Sequence, residues 1–165
     1  TMVLVPQIVD AVNIPVVAAG GVAEPRGVLA AFSLGAEGVQ VGTRFVCACE
    51  SNAHKAFKNE IIKARDRSTA ITGASTGHPV RCIQNRLTRE FARLEKAGAS
   101  VEELEKLGTG RLRAAVVEGD VEFGSVMAGQ SAALVNRIQP AAEMIRELFE
   151  GTQEMFESLH RFSNH

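Results

Sequence analysis

A short apolar run and a second short strand pattern, each closed by a glycine turn and set one βα repeat apart, constrain the fold of this chain most tightly. The first is IPVVAA at 14–19, running into Gly20 and Gly21; the second is 38–41, running into Gly42 and Thr43. A short, continuously apolar run such as 14–19 suits a strand of a parallel sheet covered on both faces. Val5, Ile8, Val9 and Val12 recur at helical spacing before the first run. Between the runs, Pro25 stands where a first helical turn tolerates it, Val28, Leu29 and Phe32 repeat at helical spacing, and Gly35 supplies a stop. The order helix, strand, helix, strand is that of an α/β fold.

Two parallel strands do not make a covered sheet, and a barrel needs eight of them. Beyond Thr43 the pattern turns to helices and polar turns, so the missing strands are not expected downstream. The chain therefore reads as the C-terminal part of a larger α/β protein, with the remaining strands held non-covalently or absent. A small self-contained α/β domain is the alternative.

Composition narrows the function. The chain has 165 residues, with 18 Lys and Arg against 19 Asp and Glu, for a net charge of −1. That balance gives no concentrated positive field for nucleic acid. With no Trp and no Tyr, base stacking would rest on eight Phe. No apolar stretch approaches the roughly 20 residues that cross a bilayer, and no charged-then-apolar leader opens the chain. Cys47, Cys49 and Cys82 are odd in number and form no disulfide framework. No nucleic-acid or membrane partner is expected, and the expected compartment is the cytoplasm.

Downstream, residues 53–65 carry Phe57, Ile61 and Ile62 among charges, as in an amphipathic helix. Residues 68–72 and 80–83 read as short strands around a GASTGHP loop. Asn85 is placed to cap a helix through Leu87, Phe91 and Leu94, and Ser100 with Glu103 has capping-box spacing. A short helix is expected over 112–117, and a last one from Pro140 with Met144, Ile145, Leu148 and Phe149 as its buried stripe. The charged run between Arg86 and Arg113 reads as a solvated helix face.

The chemistry sits in AAGGVAEPRG at 18–27 and GAEGVQVGTRF at 35–45. Gly21 and Gly42 are 21 positions apart, about one βα unit, so both turns would lie on one rim of a parallel sheet. Glycine there lets the backbone approach a ligand closely, and amides from two neighbouring loops then converge on one anion. Barrel loops after strands seven and eight bind phosphate in this manner. The plainer role for the same glycines is a pair of tight turns.

The stretches AAGGVAEPRG, LGAEGVQVGTRF, ESNAHKAFK and GSVMAGQSA closely resemble the FMN-dependent enoyl-[acyl carrier protein] reductase II proteins, relatives of the nitronate monooxygenases. The resemblance thins over 93–118 and after 140, and the first two stretches are common to many FMN barrels. It implies the C-terminal part of an FMN-binding (β/α)8 TIM-type barrel with a small inserted α/β domain. Residues 1–65 would be the last two βα units with their phosphate loops, 66–125 the insert, and 126–165 the return to the barrel and the C-terminal helix. Carried over residue by residue, backbone amides near Gly20, Gly21, Gly42 and Thr43 would hold the FMN phosphate. Gln40 would stand at the strand end near the flavin, and Met127, Gly129 and Gln130 near the flavin edge, although filling a core gap would equally suit Met127.

The family's catalytic His lies upstream of the position at which this chain begins, so no catalytic residue is assigned within it. By resemblance NADH or NADPH is the co-substrate and an acyl carrier protein thioester the substrate. A monovalent cation is associated with the family. The remaining N-terminal half of the same protein and a second copy in a homodimer are the other expected partners. The rival readings are nitronate monooxygenase and a half-barrel without turnover.

The remaining candidates have ordinary roles beside functional ones. His54 either faces the site or starts a helix in solvent. His78 belongs to a loop, and His160 and His165 to the tail. Cys47 and Cys49 lack companions at metal spacing and read as small buried packing residues, so no metal site is assigned. Arg44 either adds charge to the phosphate loop or pairs with Glu50. Ser125 and Ser131 suit a turn and a helix entry.

Overall fold

A computed structural model describes residues 1–160; of the tail histidines, His165 lies outside the described residues. Those residues form two compact units, one of 1–50 with the segment from 139 onward, the other of 51–138.

The first unit opens with α1 (Leu4–Ala11), β1 (Val17–Ala19), α2 (Pro25–Ser33), β2 (Gly38–Gln40) and the single turn α3 (Thr43–Val46). It closes with α8 (Ala141–His160). The two strands are parallel, with Val17 beside Gly38, Ala18 beside Val39 and Ala19 beside Gln40. The helix–strand alternation expected from the apolar periodicity is therefore present. The first strand is shorter than its apolar run and is not covered on both faces, because Ala18 is buried while Val17 and Ala19 are exposed. Ala18 packs with Val5 of α1 and with Ala31 and Ala36. Gly35 ends α2 at φ +92°, and a Cβ there would meet the Val9 side chain at 2.9 Å, so glycine serves both the turn and the close passage of α1.

Helix α8 lies along α2. Val22, Val28 and Leu148 form a second buried cluster with Phe32 and Phe45 against it. The approach is closest at Gly151, where a Cβ would stand 2.5 Å from Pro25 Cγ. The buried stripe of α8 is Met144, Leu148 and Thr152. Ile145 and Phe149, expected in that stripe, are instead 50% and 52% exposed. The reason is rotational: 144, 148 and 151 repeat at four and three residues toward α2, which turns 145 and 149 away.

The second unit carries α4 (Lys55–Lys63), β3 (Thr69–Thr72), β4 (Val80–Ile83), α5 (Arg86–Lys96), α6 (Val101–Gly108) and α7 (Arg111–Arg113). The strands pair antiparallel, Thr69 with Ile83 through Thr72 with Val80. Asn85 caps α5 and Ser100 caps α6, both with reciprocal capping boxes. Leu87, Phe91 and Leu104 form the core these helices share. The short helix expected over 112–117 is α7 followed by a π turn at Ala114–Glu118. Packing groups residues 51–138 in this unit, a wider span than the 66–125 that the resemblance implies for the insert. Helix α4 and the 3₁₀ turn Gln130–Leu134 pack together inside it. Among the described residues no helix is long and apolar enough to cross a membrane.

Candidate functional site

The strand register places the site. Ala19 and Gln40 are partners across the parallel ladder, so Gly20 and Val41 leave the same edge of the sheet in neighbouring positions. Gly20 and Gly21 then turn at φ +92° and +84°, conformations that glycine reaches without a Cβ clash. Gly42 is the residue before α3, and Thr43 opens that helix. A Cβ built on Gly20, Gly21 or Gly42 would meet no atom within 4 Å. All three glycines are exposed, as is Gln40, and Thr43 is half-buried. Five of the expected residues thus share one rim, with open space where side chains would otherwise project. That space fits a group bound by main-chain amides, the way phosphate is held at glycine turns.

Arg44 does not pair with Glu50. Its side chain is 11% exposed; Nη1 donates to the Ala23 carbonyl at 2.8 Å, and Nη2 pairs with Glu147 of α8. Glu50 does something else: its carboxylate accepts the amide of Ala141 at 3.0 Å, at the start of α8. Glu147 lies 103 positions from Arg44, which no local pattern announces; the signal available was an arginine directly after a glycine turn.

Met127, Gly129 and Gln130 belong to the second unit. Met127 bridges Cys82 on the open side of β4 and lines a cavity of about 150 Å³ with Thr72, His78, Phe91 and Ser125. Gly129 precedes the 3₁₀ turn at Gln130–Leu134, and Gln130 is exposed.

His54 is a helix starter: its Nδ1 accepts the Ala56 amide at 3.1 Å at the beginning of α4. It also lies where a Cβ on Gly119 would stand, 2.2 Å from Nδ1. His78 is an exposed loop residue, and His160 closes α8. Cys47 is buried as expected, but Cys49 is exposed, because it lies beyond α3 where its amide bonds the Gln139 carbonyl at 3.0 Å. Burial pushes the Cys82 thiol above its ordinary value, which keeps it protonated and a poor nucleophile. No group of three potential metal-ligating side chains occurs among the described residues.

Comparison with known proteins places the chain in a family. A family model described as nitronate monooxygenase matches residues 1–151. A probable nitronate monooxygenase of Staphylococcus aureus (strain JH9) is 42% identical over 131 residues, 79% of this chain and 37% of that protein. FabK from Thermotoga maritima has a similar structure, with a TM-score of 0.93 at 45% identity over 98% of this chain and 51% of that one. Nitroalkane oxidase from Streptomyces ansochromogenes has a TM-score of 0.77 at 30% identity, over 96% of this chain and 45% of that one. The chain thus spans about half the length of these solved structures and little more than a third of the curated relative. It is an α/β piece matching part of a TIM-barrel protein. With the model match running over nearly its whole length, the chain belongs to the nitronate monooxygenase family of FMN-dependent oxidoreductases.

Proposed function

We propose that this chain is the C-terminal, phosphate-gripping part of an enoyl-[acyl carrier protein] reductase of bacterial fatty-acid synthesis. The observation that carries the reading is the pair of glycine turns leaving one sheet edge side by side, with open space at Gly20, Gly21 and Gly42. Backbone amides around these residues and Thr43 would hold the FMN phosphate, and Gln40 would stand at the strand end beside the flavin. Bound FMN supplies hydride transfer from NADH or NADPH to a trans-2-enoyl thioester.

The chain's own share is mechanical and electrostatic. The turns fix the position of the anion, and a fixed anion fixes the ring attached to it. Rigid main-chain donors need little reorganisation when they meet charge. Met127, Gly129 and Gln130 are proposed for the flavin edge on the strength of the GSVMAGQ motif. The acyl carrier protein, a second copy of the protein and a monovalent cation are proposed partners of the intact protein, to which turnover is assigned.

The likeness to FabK, over nearly the whole chain, favours this reading. The 42% identity to nitronate monooxygenases favours a second, in which the same grip serves oxidation of a nitronate by oxygen. The intact protein, assayed with NAD(P)H and crotonyl thioester and separately with a nitronate and oxygen, distinguishes them. Thioester-dependent NAD(P)H oxidation is expected. Turnover of the nitronate alone would replace the first reading with the second, and a protein that retains no flavin would remove both.

A further inference from the structure

Both glycine turns are tied to α8 through one side chain. Arg44 follows Gly42 and Thr43 directly, and its guanidinium donates to the carbonyl of Ala23, two residues past Gly21. The same guanidinium pairs with Glu147 on α8. One turn further along α8, Gly151 passes against Pro25, and the Thr152 hydroxyl lies 3.3 Å from the Pro25 carbonyl. Each of these contacts falls just behind the first glycine turn. A planar guanidinium spans two acceptors at once, which an ammonium on a flexible stem does not reproduce. Its charge is answered by Glu147 and its side chain is largely buried, so it acts on the cradle through the main chain.

We infer that Arg44 is a positioning residue that sets the spacing between the two glycine turns, and so the selectivity for a phosphorylated flavin over the same flavin without phosphate. This rests on the phosphate-cradle reading above. The reading assigns the anion to backbone amides of both turns, and two donors on separate loops bind one anion only while their separation is held. The test is equilibrium titration of the apoprotein, in its intact form, with FMN and with riboflavin, followed by flavin fluorescence. Wild type is expected to prefer FMN by about a hundredfold or more. R44Q and R44K should each narrow that gap by about tenfold while leaving the riboflavin constant within about threefold. E147Q, which keeps the Arg44–Ala23 bond, should narrow it far less.

The outcomes separate the two claims. Equal affinity of wild type for FMN and riboflavin, or no binding of either, overturns the cradle reading and the inference with it. An unchanged gap in both Arg44 variants overturns the inference alone. A gap lost in R44Q but kept in R44K assigns Arg44 as a simple charge and also overturns it. Should R44Q lose both flavins in parallel with its melting temperature, R44K and E147Q decide. If the two affinities fall together in R44K as well, the role is structural and the inference fails.

Discussion

Among single residues, the glycines of the rim are separable by backbone angle. Gly42 has φ −91°, open to any residue, and its Cβ direction is empty. G42A should therefore leave the stability of the apoprotein within about 0.5 kcal/mol. The same methyl enters the space assigned to the phosphate, so FMN affinity should fall about tenfold or more, read by flavin titration beside chemical denaturation. G21A differs because Gly21 sits at φ +84°. It should cost about 1 kcal/mol of stability in addition to the binding loss. An alanine at 42 that binds FMN normally would count against the cradle. The glycines were legible in sequence because a strand end followed by glycine is a local pattern. Arg44 was noticed for the same reason, but its true partners were not, since Ala23 and Glu147 meet it only after the chain has folded back.

For the elements, local rules read well where a helix is specified by its own first turn. Asn85 accepts the Thr88 amide at 3.0 Å and donates to the carbonyls of Val121 and Gly124, both at 2.8 Å. N85A removes the cap and orphans two carbonyls, and should cost about 3 kcal/mol in denaturant unfolding. The cap was evident from the sequence, whereas its two distant carbonyl partners were not.

Ser100 and Glu103 add a pH-dependent version of the same device. Bonds from the Ser100 amide and hydroxyl hold the exposed Glu103 carboxyl below its usual range. A carboxyl depressed in the folded state contributes stability above its unfolded pKa, and the contribution is lost as pH falls through the folded value. Amide protection factors in the first turn of α6, corrected for the intrinsic pH dependence of exchange, should therefore fall on acidification below about pH 4, the ordinary carboxylate range. E103Q should flatten that dependence. Element limits were less legible. Ile14 stands in the apolar run but outside β1, because a strand extends only as far as its neighbour pairs with it, and β2 pairs over three residues. The buried face of α8 was misjudged because Met144, Ile145, Leu148 and Phe149 are all apolar, and sequence alone does not say which pair faces α2.

In the molecule as a whole, the α/β class and the family were legible, because periodicity and motif are properties of the chain. The limits of the compact units were not, because they follow from packing between residues far apart in sequence. Met2, Val3, Leu4, Ile8, Ile14 and Val17 are exposed around a two-stranded sheet. Such a sheet is marginal by itself, and parallel sheets are ordinarily covered. The chain expressed alone should therefore self-associate, eluting above its 17.6 kDa monomer in size exclusion at micromolar concentration. Changing Ile14 and Val17 to Glu should shift it toward the monomer. Monomeric behaviour at high concentration without those changes would show that this surface is tolerated in water.

The path on either side of residues 51–138 has a lasting consequence. Ala48 and Gln139 pair in a parallel bridge, the Cys49 amide bonds the Gln139 carbonyl, and Glu50 holds the first amide of α8. Departure and return are thus stitched at a single seam inside the unit that carries the glycine rim. Because both ends of 51–138 are fixed to the same unit, a change of length within that segment should cost the first unit little.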